Sequence, residues 1–422
     1  MSDRTEQQAA NADVIVIGAG IAGLSAAWFL QQAGLRVVVC EKGVAAGEQS
    51  GRNWGWIRQT GRDEAELPIV MESMQRWQEI ADQLETDIGY RREGTLYLCE
   101  TEDDMAKNDR FMKFAPQYGV SSTPINRAQL EKLIRDCPTR WHSALHTPDD
   151  GRAEPSLAAQ AIAQTLQSRG VTVLENCATE SISTSGGTVD GVITEQGEIK
   201  AQAVLIAAGA WSTFLLEDCG VRLPQLTVKA SVARTGPMPS IFEGNASGSQ
   251  VAFRRRLDGG YTVTASDRLE VFPSLRHMKF LPDFWPMLKA FWPKLKFRVP
   301  ELQIDGDYKK QRICNPIPTE ATFARIRSRL ADRVPAFTDV EFVEAWSGMI
   351  DALPDVVPVL DRAPLDGLWI ATGFSGHGFG IGPAAGRIMA DLIQNNAAEH
   401  DLYRFRLSRF TDGSPIILGP AI

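Results

Sequence analysis

The sequence predicts an α/β chain in which a parallel-sheet domain is interwoven with a β-rich α+β second domain. Three observations predict it. A buried-strand pattern, a glycine-rich turn and a helical pattern follow one another at residues 13–32; strand, glycine loop and helix return from Val343 onward; and a β-rich, irregular stretch at 223–339 separates the two. With 422 residues, 44% of them hydrophobic and 23% charged, the chain is long enough for two or three domains and ordinary for a globular protein.

The first element is the run Asp13-Val14-Ile15-Val16-Ile17, apolar without alternation as a strand buried on both faces should be. It leads into Gly18-Ala19-Gly20-Ile21-Ala22-Gly23, and Ile21 to Gln32 then reads as an amphipathic helix. In this GxGxxG spacing Gly18 permits the tight turn, Gly20 admits a pyrophosphate against the backbone, and Gly23 lets helix and strand pack closely, with the helix N-terminus facing the phosphates. A second strand at 36–40 ends at Glu41, followed by Lys42. This acid stands roughly 20 residues beyond the glycines, where it accepts from a ribose hydroxyl. Such glycines also occur in plain strand-to-helix turns, but strand, turn, helix, strand and acid seldom coincide; the order makes a Rossmann-like dinucleotide site and does not separate FAD from NAD.

Further along, a helix is expected at about 67–84, carrying Ile69, Met74, Trp77 and Ile80. Another follows at 157–167, then a strand at 171–175 and a hairpin across Gly186-Gly187. Residues 203–207 read as a buried strand ending in the turn Ala208-Gly209-Ala210-Trp211-Ser212. Near the C-terminus, Gly373-Phe374-Ser375-Gly376-His377-Gly378-Phe379-Gly380 holds more glycines than one helix-entry turn needs, and a helix is expected to begin near Pro383.

Several function classes are disfavoured. The formal net charge of −8 gives no overall footprint for nucleic acid. The polar start Met1 to Asn11 has no apolar core of a signal peptide, and no window approaches 18 uninterrupted apolar residues, so a cytoplasmic protein without a membrane span is expected. The six cysteines, Cys40, Cys99, Cys137, Cys177, Cys219 and Cys314, show no CxxC, and among the five histidines only His142 and His146 stand four apart, with no HxH; no metal site is expected. There is no Ser-His-Asp arrangement either.

The order of these motifs resembles the D-amino-acid oxidase superfamily of FAD-dependent oxidoreductases over nearly the whole chain. Four stretches carry the resemblance: the N-terminal fingerprint, the segment 46–55 (AGEQSGRNWG), the strand ending at Ala208-Gly209, and 373–386. Within that superfamily, AGEQSGR at 46–52 and Phe253-Arg254 followed by Asp258-Gly259-Gly260-Tyr261 are similar to bacterial L-amino acid deaminases. The resemblance implies a discontinuous FAD-binding domain at 12–88, 151–220 and 343–400, and a substrate domain at 89–150 and 221–342, as in D-amino-acid oxidase and glycine oxidase.

It also implies roles. Gln49, Ser50, Gly51, Arg52, Asn53, Trp54 and Gly55 would lie along the flavin; Thr179, where relatives tend to have valine, would contact the adenine through its backbone; Ala208, Gly209 and Trp211 would pass close to the cofactor. The backbone of Gly376, His377, Gly378, Phe379 and Gly380 and the positive end of the following helix would face the flavin ring and stabilise negative charge on it. The implied chemistry is hydride transfer from the amine-bearing carbon to flavin N5, leaving an imine that water hydrolyses; the cofactor does the hard step and the protein positions the substrate. No cysteine or histidine occurs where relatives attach the flavin covalently, at 346–355 or 41–62, so non-covalent FAD is expected.

A carboxylate-bearing substrate calls for an arginine, whose planar fork holds both oxygens. Arg254 is the first candidate because it matches the deaminase position beside a strand start and a turn; a solvated basic face formed with Arg255 and Arg256 is the plain alternative. Arg58 and Gln59, just past the flavin segment, come next. Tyr261 is a pocket candidate or a core aromatic, and His377, where the deaminases resemble one another in carrying tryptophan, is a pocket residue or a packed imidazole.

The segment 272–300 interleaves Phe280, Phe284, Trp285, Phe291, Trp292 and Phe297 with Arg276, Lys279, Lys289, Lys294, Lys296 and Arg298, and its five prolines allow only short helices. Two readings stay open: an aromatic cover over the substrate domain, or a peripheral membrane contact that passes electrons to quinone. The electron acceptor, oxygen or quinone, is open at this level. So is the reaction: L-amino acid deamination, D-amino acid dehydrogenation, glycine, sarcosine or opine oxidation, or service as a flavin-bearing subunit inactive alone.

Overall fold

The computed structural model describes residues 10–267, 269–271, 277–292, 295–297 and 310–419. Its nucleotide-binding half is built on strand β1 (Val14–Ile17), helix α1 (Ile21–Gln32), β2 (Val37–Cys40), α2 (Leu67–Ala81), α3 (Pro155–Ser168), β3 (Thr172–Leu174), β4 (Ala203–Ile206), β5 (Val359–Arg362), β6 (Leu368–Thr372) and α4 (Gly378–Ile393). The six strands form one sheet in the order β5-β6-β4-β1-β2-β3, parallel throughout except for β5 against β6. Every residue of β1 and β2 is buried, as two-faced burial of a parallel sheet requires.

Helix α1 differs from the amphipathic reading. Nine of its residues, from Ile21 to Leu30, are buried, because helices lie against it on more than one side. The approach of α4 is close: a Cβ on Gly386 would stand 2.5 Å from the Ala26 nitrogen. The near-uniform apolarity of α1 is thus the signature of an interior helix rather than of a surface one.

Helix α4 begins at Gly378, five residues earlier than the proline-based expectation, and carries Pro383 inside it. Proline has no N–H for the carbonyl four residues back, which is Phe379. That carbonyl instead accepts from Trp77 Nε1 of α2 at 3.1 Å. The next carbonyl, Gly380, accepts from Ser73 Oγ at 2.7 Å. A neighbouring helix therefore satisfies the backbone that proline leaves open, and this ties the glycine loop at 373–380 to α2.

The other half is a ten-stranded sheet. Its central strands are Leu226–Thr235, Tyr261–Ala265, Val251–Arg255 and Asn245–Ser247, continued by Thr95–Cys99 and Ser143–Thr147. The strand Phe342–Ala352, which begins the last nucleotide-binding segment of the sequence partition, pairs along its length with Leu226–Thr235 and so joins the two halves covalently and by hydrogen bonds. A four-stranded sheet (Ala10–Asn11, Gly197–Lys200, Thr188–Thr194, Thr179–Ser185) lies beside the nucleotide half and includes the hairpin expected at Gly186-Gly187. A two-stranded ribbon, Trp56–Ile57 with Gly151–Arg152, completes the sheets of the described residues.

Of the segment 272–300, residues 272–276, 293–294 and 298–300 lie outside the described residues, and with them Arg276, Lys294 and Arg298. The remainder forms a short helix, Trp285–Phe291, and a strand, Leu295–Phe297, pairing with Leu269–Val271. Phe280, Phe284 and Met287 are buried against Leu226, Val228, Ile350 and Ala352. Trp285 and Trp292 remain 67% and 63% exposed. One side of the segment covers the sheet, and the other presents aromatic rings to solvent beside the exposed Lys289 and Lys296.

Candidate functional site

A long cavity opens at the carboxyl ends of β1, β2 and β4, where ligands of open α/β sheets bind. Its floor is made by glycine geometry. Gly18 has φ +108°, a region L side chains avoid, and a Cβ there would lie 2.6 Å from the Ala207 carbonyl oxygen. A Cβ on Gly23 would lie 2.1 Å from the Gly18 oxygen, so this residue does not face the cavity but brings α1 onto the turn. Gly20, Ile21 and Ala22 line the cavity at the N-terminus of α1, and Ser50 Oγ accepts from the Ile21 N–H at 2.8 Å.

Glu41 closes one end. Its oxygens accept from the Ala19 and Gly43 N–H groups at 2.9 and 2.8 Å, and burial raises its pKa despite those bonds. Lys42 reaches Glu48 at 2.8 Å and stands 4.2 Å over the Trp211 ring; Trp211 Nε1 donates to the other Glu48 oxygen at 2.7 Å. Thr179 Oγ1 and Gln49 Oε1 are buried with no protein partner among the described residues, and both residues line the cavity, so each offers a bound molecule a polar contact.

Asn53, Ala208, Gly209, Gly376, Gly378 and Phe379 line the cavity too. Gly51, Arg52, Trp54, Gly55, His377 and Gly380 stand behind it. Arg52 Nε donates to the Gly47 carbonyl, Trp54 packs edge-on against Trp56, and Gly55, at φ +76°, takes the close approach of Ala153 and Arg254. Residues that sequence reasoning missed include Glu48, Met349 and Asp351. Asp351 is buried, its pKa is pushed up to about 6 by that burial, and it accepts from the Gly373 N–H at 2.8 Å. No local motif announces it, since it arrives on a strand of the other sheet.

A groove floored by glycine, with an acid at its wall, a helix N-terminus opening onto it and the orphaned polar atoms of Thr179 and Gln49, fits FAD. Gly378, the first residue of α4, lines the cavity, so the positive end of that helix faces into it.

The substrate candidates behave differently. Arg254 is 1% exposed, and its fork is already filled: Nη1 and Nη2 donate to the two carboxylate oxygens of Glu154 at 2.9 and 3.0 Å, and Nη2 also to Thr262 Oγ1. This corrects the expectation of a free guanidinium; only its Nε lacks a partner. Tyr261 is fully buried, its hydroxyl bonded to the backbone of Ile241 and Phe242, its ring packed on Phe253 and Phe337; it belongs to the core rather than to a pocket. Arg256 also reaches Glu154, at 3.5 Å, while Arg255 turns to the Met238 and Gly259 carbonyls.

Arg58 holds a different position. Its backbone runs along the first turn of α4, where a Cβ on Gly380 would lie 3.8 Å from the Arg58 nitrogen. One guanidinium nitrogen, Nη1, donates to the Tyr97 hydroxyl and the Thr60 carbonyl, and the group lies 5.7 Å from the Trp56 ring centre. Among the described residues no bond occupies its Nη2. Gln59 is buried beside it, its N–H bonded to Asp150 at 2.7 Å.

Beneath Arg58 lies a buried charge cluster with no sequence motif. Arg62, held to about 9 by burial and by Arg58, leaves Nη1 without a partner. Glu66 is fully buried and meets His377 Nδ1 at 3.1 Å; His377 is 3% exposed, and burial together with Arg62 lowers it to about 4.

The comparisons with known proteins agree with this geometry. The sarcosine oxidase subunit beta of Arthrobacter sp is 25% identical over 95% of this chain and 91% of its own length. A D-amino acid dehydrogenase of Vibrio vulnificus is 23% identical over 93% of this chain and 99% of its own. The structure of L-amino acid deaminase from Proteus myxofaciens, in complex with anthranilate, superposes with a TM-score of 0.90 at 26% identity, covering 97% of this chain and 96% of that one. The profile of the DAO family, FAD dependent oxidoreductase, matches residues 13–392. With the glycine-floored cavity, the acid at its ribose end and the second glycine loop all inside those bounds, the chain belongs to the DAO family of FAD-dependent oxidoreductases, whose members act on amino acids or amines.

Proposed function

We propose that the protein oxidatively deaminates an amino acid, transferring hydride from the amine-bearing carbon to non-covalently held FAD and releasing an imine that water converts to the keto acid. The observation that carries the reading is Arg58: a guanidinium with a vacant Nη2, fixed by Tyr97 and Trp56 against the first turn of α4, which starts at the cavity.

When bound, FAD supplies the two-electron acceptor. The chain supplies the rest. Arg58 holds the substrate carboxylate, and the backbone of Gly376 to Gly380 with the α4 N-terminus stabilises negative charge developing at the ring. Arg254 locks Glu154 at the N-terminus of α3, and so positions the wall past which Gly55 turns rather than touching substrate.

A second reading has its own support. Sarcosine oxidase subunit beta is by its name part of a larger enzyme, and that likeness extends over nearly the whole chain, so service as a flavin-bearing subunit inactive alone is the competing assignment. For the acceptor, the exposed Trp285 and Trp292 beside Lys289 and Lys296 favour a membrane surface holding quinone over oxygen.

Anaerobic mixing of the yellow protein with L-amino acids, D-amino acids, N-methylated amino acids and simple amines tests the reading by bleaching of the flavin absorption. Bleaching by one set fixes substrate class and chirality, and admitting air then shows whether oxygen is the acceptor. No bleaching by any set sinks the proposal in favour of the subunit reading.

A further inference from the structure

Asp351 stands apart from the other charged groups of the cavity. Among the described residues, the ionisable side chains that line it are Cys40, Glu41, Lys42, Glu48 and Asp351. The first four belong to the end of β2 and the segment after it, whereas Asp351 arrives on the strand Phe342–Ala352 of the other sheet. Its Oδ2 accepts from the Gly373 N–H at 2.8 Å and its carbonyl from the Ser375 N–H at 2.9 Å, which places it beside the loop after β6. In the order β6-β4-β1-β2, three strand spacings, roughly 14 Å, separate the end of β6 from that of β2, where Glu41 stands.

That separation gives FAD one direction in the groove. Its pyrophosphate goes to the N-terminus of α1 and its adenosine ribose to the acid after β2, so its flavin half extends toward β4 and β6, where Asp351, Phe374, Gly376 and Gly378 form the wall. Two features there act on charge in opposite senses. The positive end of α4, at Gly378, favours negative charge, and an ionised Asp351 disfavours it. The contacts of that carboxyl are uncharged donors: the Gly373 N–H and, at 3.5 Å, Thr372 Oγ1, which also meets Ser212 at 2.8 Å; Thr227 lies opposite it on the paired strand. Lys42, the one cation of the cavity wall among the described residues, is engaged by Glu48 at 2.8 Å. Burial pushes the Asp351 carboxyl up to about 6, so a change of charge nearby decides whether it holds a proton at neutral pH.

We propose that Asp351, lining the flavin half of the cavity, sets its charge balance: ionised, it opposes negative charge on the bound flavin, and negative charge arriving there draws a proton onto Asp351. The two effects are one coupling read from either side, and so are equal in size. Two electrons and one proton reach the flavin as hydride and leave one negative charge; the proton that Asp351 takes up comes from solvent. The coupling needs FAD but no particular amine, so it stands or falls independently of the deamination reading.

The probe is sulfite, which adds to the flavin of the holoprotein, bleaches it and leaves one negative charge there without any substrate. Asp351→Asn keeps an oxygen for the Gly373 N–H and removes the charge. At about pH 8 this variant should bind sulfite about tenfold more tightly than the parent, as loss of one opposing charge several Å away at an effective dielectric constant of about 20 allows. At about pH 5, where the parent's acid is itself neutral, the two should agree within about twofold. Protonation of sulfite cancels in that ratio. A ratio that does not change with pH overturns the proposal and leaves Asp351 as a prop for the glycine loop. If Asp351→Asn does not hold FAD, the parent decides: the protons taken up per two electrons, read from the slope of its midpoint potential against pH, should rise just above about pH 6 and fall back by about pH 8. A constant count over that range overturns it equally.

Discussion

The cofactor side and the substrate side of this molecule are built by different means. The cofactor side is backbone: Gly18, Gly20 and the loop 373–380 make the wall by lacking side chains, and short contiguous segments suffice to specify it. The substrate side is charge brought together from afar. Arg254 meets Glu154 across 100 residues, and His377 meets Glu66 across 311. A surface made of backbone is written locally, whereas one made of buried ion pairs exists only after the sheets have assembled. The two sides should therefore respond differently to substitution.

The largest effect is expected on the substrate side. Arg254→Met leaves the buried carboxylate of Glu154 without its bidentate partner and should cost about 3–5 kcal/mol of stability. Adding Glu154→Leu should recover much of that, because the uncompensated charge, rather than the lost pair, is the penalty. Urea midpoints of the parent, single and double variants check it; a double variant no better than Arg254→Met would show the pair to be needed for folding itself.

On the cofactor side, Gly18→Ala must place a side chain at φ +108° and 2.6 Å from a carbonyl oxygen. Strain of that kind costs about 1–3 kcal/mol. The apoprotein carries that strain too, so its urea midpoint should fall accordingly, and FAD titration should show affinity falling by about tenfold to a hundredfold besides. Unchanged FAD affinity would erase the contrast drawn above.

Acidity sharpens it further. Arg254 and Arg256 outweigh the burial of Glu154 and bring its carboxyl to about 2. Since the folded pKa lies below the unfolded one of about 4.3, the pair's contribution is present above pH 4.3 and is lost as pH falls toward 2. Over that window the protein should lose about 2 kcal/mol through this site. The Glu154→Leu, Arg254→Met variant should lose less. A smaller loss is expected for Arg58→Met in another quantity: substrate affinity down about tenfold, FAD affinity unchanged. If FAD leaves instead, Arg58 serves the cofactor.

How much of this was legible follows the same division. The βαβ unit, the helix at Leu67–Ala81, the hairpin at Gly186-Gly187 and the glycines of the cavity are readable because each rests on periodicity or glycine within about 20 residues, whereas Ser50, Asn53, Thr179 and Trp211 come only from the family resemblance. Arg254 was found but its partner was not, since nothing near 254 points to Glu154; Tyr261 was read as pocket or core, and its bonds to Ile241 and Phe242 place it in the core. The start of α4 was misplaced because Pro383 normally marks a helix entry, and Trp77, which relieves it, comes from α2. Arg62 and Glu66 carried no motif at all.

The smallest effect in stability belongs to Trp285. The segment around it is held by Phe280 and Phe284, which are 1% exposed, while Trp285 is 67% exposed and helps to hold little. Trp285→Ser should change stability by less than about 0.5 kcal/mol. If the exposed rings meet a membrane surface, the same variant should slow reduction of quinone in vesicles while the anaerobic rate of flavin bleaching stays unchanged. Equal quinone rates in parent and variant would leave the segment as a cover over Leu226, Val228 and Ala352 and move the acceptor to a soluble molecule.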